Sequence, residues 1–313
     1  MPPLDSSRHL TVRVAASTSN LGPGFDCLGL ALDLFSEVRV RGPIEGAVHT
    51  RRVHDSAASA WPDIESDLTI RAFERACEVF GVPAQKYHFE IASEIPIARG
   101  LGSSGAAVAA GIRLASFLAD TTPTLEAEIS LGIEIEGHPD NVTASLAGGA
   151  TLCVPIPNEA PAWTPVECSD ALGFALAWPQ EPLSTQAARR VLPAQIEFAD
   201  ALENPRRLGL LLAGLKKADA RLLSLGGEDR LHEQYRLPLI PGAAEALTAA
   251  RDRGAWLASL SGSGSALFAI GPIDSMNDIS EAMRTTLEGA RTGATARTAR
   301  IVLEGATVRE ESS

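Results

Sequence analysis

From Ile95 to Ala106 the chain reads Ile95-Pro-Ile-Ala-Arg-Gly-Leu-Gly-Ser-Ser-Gly-Ala106, and this loop joins two segments of different periodicity. Ahead of it, Tyr87, Phe89 and Ile91 alternate with His88 and Glu90, the period-two pattern of a half-buried strand. Behind it, Ala106–Leu118 is an Ala-rich apolar run suited to a buried helix. A strand that becomes a helix across so short a loop needs backbone freedom, and Gly100, Gly102 and Gly105 provide it by tolerating positive φ. A helix starting near Ser104 exposes unpaired amides and the positive end of its dipole. The loop can therefore hold an anion such as a nucleotide's phosphates, with the Ser103 and Ser104 hydroxyls donating to phosphate or ligating Mg²⁺. The glycines alone fit a tight structural turn equally well. No Gly-Lys-Ser/Thr follows, so this is not the common P-loop, nor is it the dinucleotide fingerprint at a first βα turn.

An anion site of this kind has to coexist with a net charge of −12, from 39 acidic and 27 basic side chains. That balance excludes a nucleic-acid surface, which needs clustered Lys and Arg, but backbone amides can still bind one local anion. Aromatic residues make up 5% of the chain, too few for base-stacking platforms. Cys27, Cys77, Cys153 and Cys168 show no paired spacing, as expected for free thiols rather than a disulfide or zinc scaffold. Met1–Leu10 lacks an apolar signal core, and the uncharged stretches 142–158 and 254–273 are too rich in Gly, Pro and Ser to span a membrane. The expected setting is the cytoplasm.

Strands are expected at Leu10–Ala16, Phe35–Val40, Thr151–Val154, Leu172–Trp178, on both sides of Ser261–Gly264, and last at Ala299–Leu303. Helices are expected at Asp67–Phe80, capped by Ser66 or Asp67 and stopped by Gly81, and after a Thr124 cap. Others fall at Thr185–Leu192, Ala199–Leu215 (ended or kinked at Pro205), Ala243–Arg253 and Asp278–Leu287; Gly289–Thr298 reads as merely small and polar. This mixed order favours α+β over a doubly wound sheet. The proline-bearing stretch Pro155–Pro165 divides the chain into residues 1–160 and 161–313.

Two more Gly/Ser loops carry polar groups. Ser17-Thr-Ser-Asn-Leu-Gly-Pro-Gly-Phe-Asp26 follows the first strand, and Leu260-Ser-Gly-Ser-Gly-Ser265 lies between late strands. With Pro96–Ala106, these segments resemble the motifs of the GHMP kinases. Within that family, Asn20–Asp26, Glu136-Gly-His-Pro-Asp-Asn141, Leu183-Ser-Thr185 with Arg189, and Tyr235-Arg236 are similar to the homoserine kinase branch. The resemblance implies a two-domain α+β fold, ribosomal-protein-like and then ferredoxin-like, with the active site between. It implies ATP held by Pro96, Ile97, Ala98, Arg99, Gly100, Leu101, Gly102, Ser103, Ser104, Gly105 and Ala106, and Mg²⁺ held by Ser104 with Glu136 (Glu134 as the alternative). The third loop, Ser261, Gly262, Ser263 and Gly264, completes the phosphate side.

For the acceptor the resemblance implies L-homoserine, phosphorylated on its side-chain hydroxyl to O-phospho-L-homoserine in threonine biosynthesis. Asp26 can pair with the ammonium and Arg189 or Arg236 with the carboxylate. Asn20, His138 and Asn141 match polar contacts around the substrate. Related sugar and mevalonate kinases have an aspartate where Asn141 stands, and an amide cannot serve as a general base near neutral pH. Positioning by Asn141 and Thr185 is the expected catalytic device, with His138 as the rival base. Two positions depart from the pattern: Ser265-Ala266 replaces a usual Pro-Thr, and Ser19 stands at a common alanine. A kinase for mevalonate or a sugar, and a non-catalytic nucleotide sensor, stay open. The resemblance raises a homodimer, and Leu208–Leu212 fits either a core or an interface.

Overall fold

The computed structural model describes residues 8–46, 48–54, 61–290 and 293–312. The N-terminal expectation for Met1–Leu10 lies mostly outside them. The chain opens with two long antiparallel strands, β1 (Arg8–Asn20) and β2 (Gly24–Arg41), whose register shifts between Ala15 and Ala16 and again between Ser19 and Asn20. Strand β3 (Thr50–Val53) pairs parallel with β4 (His88–Ser93), which in turn pairs with the later part of β2. Between them lies α1 (Leu68–Phe80). The Asp67 carboxylate accepts from the Thr69 and Ile70 amides, and Gly81 closes the helix at φ 72°, as its sequence signals predict.

Helices α2 (Ser103–Leu118), α3 (Leu125–Glu136, capped by Thr124) and α4 (Asp140–Ala147) follow, and with α1 they cover one face of this sheet. Strands β5 (Ala150–Val154) and β6 (Ala162–Val166) extend the sheet from the early part of β2. The chain then crosses to a four-stranded antiparallel sheet in the order β10-β7-β9-β8. Its members are β7 (Leu172–Pro179), β8 (Leu257–Leu260), β9 (Leu267–Pro272) and β10 (Ala294–Ala299).

Five α-helices lie between β7 and β8 among the described residues, the first four being α5 (Thr185–Arg190), α6 (Phe198–Lys217), α7 (Ala220–Gly226) and α8 (Glu233–Arg236). Next come α9 (Ala243–Asp252) and α10 (Met276–Ala290), which pack on the second sheet. Strand parity explains how one sheet serves two cores. Phe174 and Leu176 of β7, with Phe268 and Ile270 of β9, join the core of the first sheet, whereas Ala175, Ala177, Leu267 and Ala269 face α9 and α10.

Two expectations are corrected and one is narrowed. The helix expected over Ala199–Leu215 is present as α6, which Pro205 does not end and which runs on to Lys217. It is held there by burial of Leu211 and Leu215, and by the buried Asn204 side chain, which donates to Asp229 and accepts from the Arg230 amide. Gly289–Thr298 contains strand β10, whose small, half-exposed residues hide its alternation. The final strand is not Ala299–Leu303 but β11 (Thr307–Ser312), which returns to pair with β1; Ile301 makes an isolated bridge to Leu32. Because β6 and β11 both belong to the first sheet, the sheets do not part at residue 160. Among the described residues, no helix is long and apolar enough to cross a membrane.

Candidate functional site

The site is a cleft of about 310 Å³ where the two sheets meet, within the size range of small-molecule pockets. Its floor is made by the three Gly/Ser loops, which are hydrogen-bonded into one unit. The Gly262 amide donates to the Ser19 carbonyl at 3.1 Å, and the Asn20 side-chain amide donates to the Gly262 carbonyl at 2.8 Å. The Ser261 hydroxyl donates to the Gly100 carbonyl at 2.6 Å and meets the Thr18 hydroxyl at 2.9 Å. This contact sets the glycine requirement. A Cβ on Gly100 (φ 75°) would lie 2.2 Å from the Ser261 carbonyl oxygen, and one on Gly102 (φ 69°) would lie 2.1 Å from Ser17 Oγ.

Helix α2 begins at Ser103 with no side chain capping it, so its first amides and its positive dipole end are offered to the cleft. Gly100, Gly102, Ser103 and Ser104 line the cleft together with Ile97 and Ala98. Leu101 and Ala106 are instead buried in the core, and Gly105 packs against Asn141. The Arg99 guanidinium is occupied by the carbonyls of Ile97 at 2.8 Å, Pro179 at 3.1 Å and Gln180. It is a strut between sheets, and Pro96 does not line the cleft.

Beyond the loop, the Ser104 hydroxyl donates to Glu136 Oε2 at 3.0 Å, with the Glu136 side chain 5% exposed. Burial raises the Glu136 pKa, against the opposing charge of His138 and the Ser104 hydrogen bond. Two hard oxygen donors side by side, one of them a buried carboxylate with His138 Nε2 at 3.8 Å, are of the type Mg²⁺ takes. Glu134 points away and pairs with Arg75 at 3.0 Å on the surface. His138 Nδ1 lies 2.8 Å from Asp140 Oδ1. Burial would lower the His138 pKa, but the Asp140 hydrogen bond and the charges of Asp140 and Glu136 raise it overall, favouring the imidazolium. Burial would likewise raise Asp140, yet His138 and the Asn141 amide hold it below the ordinary carboxylate range.

Asp140 is the group the motif reading passed over, although it stands inside the quoted His138–Asn141 segment. Its carboxylate also accepts from the Asn141 backbone amide at 2.9 Å and fixes how α4 presents that residue. The Asn141 side chain accepts from Ser17 Oγ at 2.9 Å and donates to Ser19 Oγ at 3.0 Å. Thr185 Oγ1 is 3.4 Å from Ser263 Oγ at the rim. The Ser265 hydroxyl donates to the Glu181 carbonyl at 3.0 Å, taking the place of a stiffening proline with a hydrogen bond.

At the far end Arg189 donates bidentately to Asp26, at 2.9 and 2.8 Å. The two predicted ends of a zwitterion site therefore neutralise each other here. Arg236 is 1% exposed, lines the cleft and has no carboxylate within ion-pair distance among the described residues. Burial and the nearby Arg189 charge lower its pKa. It stacks 5.1 Å above the Phe25 ring. Asn20 faces the same end but uses its side chain on the Gly262 carbonyl and the Asp26 amide. The opposite end, also missed from sequence, is apolar: Trp61, Pro62, Leu68 and Ile95, with no partner for the Trp61 indole N–H among the described residues.

Behind α8, the Glu233 carboxylate accepts from the Leu260 amide at 2.8 Å, tying this short helix to the third loop. Burial pushes Glu233 up to about 7. Because its folded pKa exceeds its unfolded value of 4.5, its stabilising contribution is full below pH 4.5 and is lost as pH rises through about 7. Glu233→Gln mimics the protonated form. Stability should match the native protein at pH 4.5 and exceed it at pH 8 by on the order of 3 kcal/mol. Urea denaturation across that range is the check, and a constant difference would refute it.

Known proteins resemble this chain along most of its length. The profile described as GHMP kinases N terminal domain matches residues 67–149, and that described as GHMP kinases C terminal matches residues 210–289. A homoserine kinase of Synechococcus sp. (strain RCC307) is 39% identical over 285 residues, covering 89% of each chain. One from Nostoc sp. is 37% identical over 301 residues, covering 95% of this chain and 98% of its own. The crystal structure of homoserine kinase from Cytophaga hutchinsonii superposes with a TM-score of 0.87 at 26% identity, over 99% of both chains. L. major mevalonate kinase shares the fold at 15% identity and a TM-score of 0.68, over 92% of this chain and 95% of that one. The chain belongs to the GHMP kinases, in the homoserine kinase branch of that family.

Proposed function

We propose that the protein transfers the γ-phosphoryl group of ATP, with Mg²⁺, to the side-chain hydroxyl of L-homoserine. One observation carries the acceptor assignment: buried, carboxylate-free Arg236 faces the same cleft as the Asp26–Arg189 pair and the uncapped start of α2. The amides of α2 and the loop Gly100–Ser104 receive the phosphates, and the apolar end at Trp61 and Leu68 takes the base. At the other end the acceptor's carboxylate goes to Arg236 and Arg189, and its ammonium to Asp26. Opening the Asp26–Arg189 pair is offset by the bonds each side chain then makes to the acceptor, and the two side chains are already 35% and 39% exposed.

Ser104 and Glu136 would hold Mg²⁺, which when bound neutralises charge on the β- and γ-phosphate oxygens. Phosphoryl transfer asks the protein mainly to position and to neutralise. Asn141, pinned by Ser17 and Ser19, orients the hydroxyl with Thr185 but cannot accept its proton. His138, biased toward imidazolium, is a poor base too, so the proton leaves with the phosphate oxygens or solvent. Four cysteines without disulfides suit a reducing cytoplasm. A coupled ADP-release assay over homoserine, mevalonate and galactose should show turnover with homoserine alone. ADP release with another alcohol and none with homoserine would overturn the assignment.

A further inference from the structure

Arg236 donates to the Ala188 and Gly262 carbonyls at 3.3 and 3.4 Å, and it also meets a buried histidine that does not line the cleft. His232 is 0% exposed and stands one helical turn before it. His232 Nε2 is 2.9 Å from the Gly22 carbonyl, and His232 Nδ1 is 3.4 Å from the Arg236 guanidinium. A carbonyl can only accept and a guanidinium can only donate. Both bonds form together only in the neutral Nε2–H tautomer. The imidazole ring also stacks on Phe25 at 4.9 Å, the ring over which Arg236 lies.

The other groups around it are consistent with that state. Asp229 Oδ1 is 3.6 Å from Nε2, farther than the Gly22 oxygen, and the Asp229 carboxylate is engaged by Asn204 and by the amides of Leu231, His232 and Glu233. Burial lowers the His232 pKa, with Arg236 adding to that effect against Asp229 and Asp26.

We propose that His232 is a positioning residue, joining Arg236 to the Gly22–Asp26 loop so that the two groups receiving the amino-acid end of the acceptor are set relative to each other. The proposal rests on the reading of Asp26 and Arg236 given above. It assigns His232 no contact with substrate and no proton transfer. The bond to Gly22 holds the loop that carries Phe25 and Asp26, and the bond to Arg236 turns its remaining donors toward the cleft. The strand-linking bond of the neighbouring Glu233 is separate and stays intact when His232 changes.

His232→Phe keeps the stacking and removes both hydrogen bonds, whereas His232→Asn returns an acceptor near the Nδ1 position. Expected for His232→Phe is a rise in homoserine KM of about 10- to 100-fold, the loss of one hydrogen bond to a charged group, with kcat and ATP KM within about threefold. His232→Asn should recover most of that rise. An unchanged homoserine KM in the Phe variant, or an ATP KM rising in parallel, overturns the proposal. Nitrogen-15 NMR of the unsubstituted enzyme provides a reading that needs no variant to fold: a protonated Nδ1 overturns the proposal, and a bare Nδ1 with protonated Nε2 supports it. If the unsubstituted enzyme fails to phosphorylate homoserine, the acceptor assignment falls, while the NMR result still judges the coupling of His232 to Arg236.

Discussion

Glu136→Gln is expected to lower kcat about 10²- to 10³-fold while leaving homoserine KM within a few-fold. The substitution preserves volume, and its side-chain oxygen still accepts from the Ser104 hydroxyl, which in the native protein lies 3.0 Å from the carboxylate. Only the negative charge is lost. If that charge serves a metal on the phosphates, the Mg²⁺ concentration for half-maximal rate rises together with the fall in kcat. Folding stability should hold or improve, because a buried carboxylate whose pKa burial has raised is costly to ionise. Glu134→Gln is the matched control two residues away; it sits 57% exposed beside Arg75 and should change nothing beyond about twofold. Equal losses in both variants would show that the acidic end of α3, not Glu136 as a ligand, carries the effect.

The contrast between Glu134 and Glu136 marks where sequence reading stops. Both stand in the last turn of α3, two residues and therefore about 200° apart around the helix, so they point to different faces, and only the packing of α3 against α2 shows which face meets Ser104. Local signals served well where the physics is local. Asp67 and Gly81 bound α1, Thr124 opens α3, and Gly100 and Gly102 mark close backbone approach. Pairings across long stretches of chain were hidden. Strand β11 reads Thr307-Val-Arg-Glu-Glu-Ser312, a polar edge whose partner β1 begins the chain. The cluster at α8 was legible only in part: the Tyr235-Arg236 motif marked Arg236, but Asp229 and His232 acquire meaning only against Asn204, Gly22 and Phe25. Asp229 did leave a trace, an aspartate three residues ahead of His232 where a helix could begin. Asp140 stood inside the quoted His138–Asn141 motif, but a carboxylate two residues from a histidine looks like any loop acid until the fold brings it against His138 Nδ1 and the Asn141 amide.

Arg236→Met is expected to raise homoserine KM by about 10²- to 10⁴-fold, from the loss of a bidentate charge-assisted contact worth roughly 3–6 kcal/mol. Its effect on stability has the opposite sense. Arg236 is 1% exposed and has no carboxylate within ion-pair distance among the described residues, so its buried charge has no direct partner and is offset only by the more distant charges of Asp26, Asp229 and Asp140. Its bonds to the carbonyls of Ala188 at 3.3 Å and Gly262 at 3.4 Å and to His232 Nδ1 at 3.4 Å position the guanidinium but do not neutralise it. Methionine fills much of the stem's volume and keeps the contact with Phe25, so unfolding free energy should drop by no more than about 1 kcal/mol and can rise. A residue retained for structure would fail in both measurements at once. Arg236→Lys separates charge from geometry: it keeps the cation but loses the planar fork, and should recover no more than about tenfold of the lost affinity. Homoserine titration of all three proteins, with urea denaturation alongside, decides the matter. A methionine variant that unfolds early yet binds homoserine normally would remove Arg236 from the acceptor site and leave the exposed Asp26–Arg189 pair to hold the amino acid by itself.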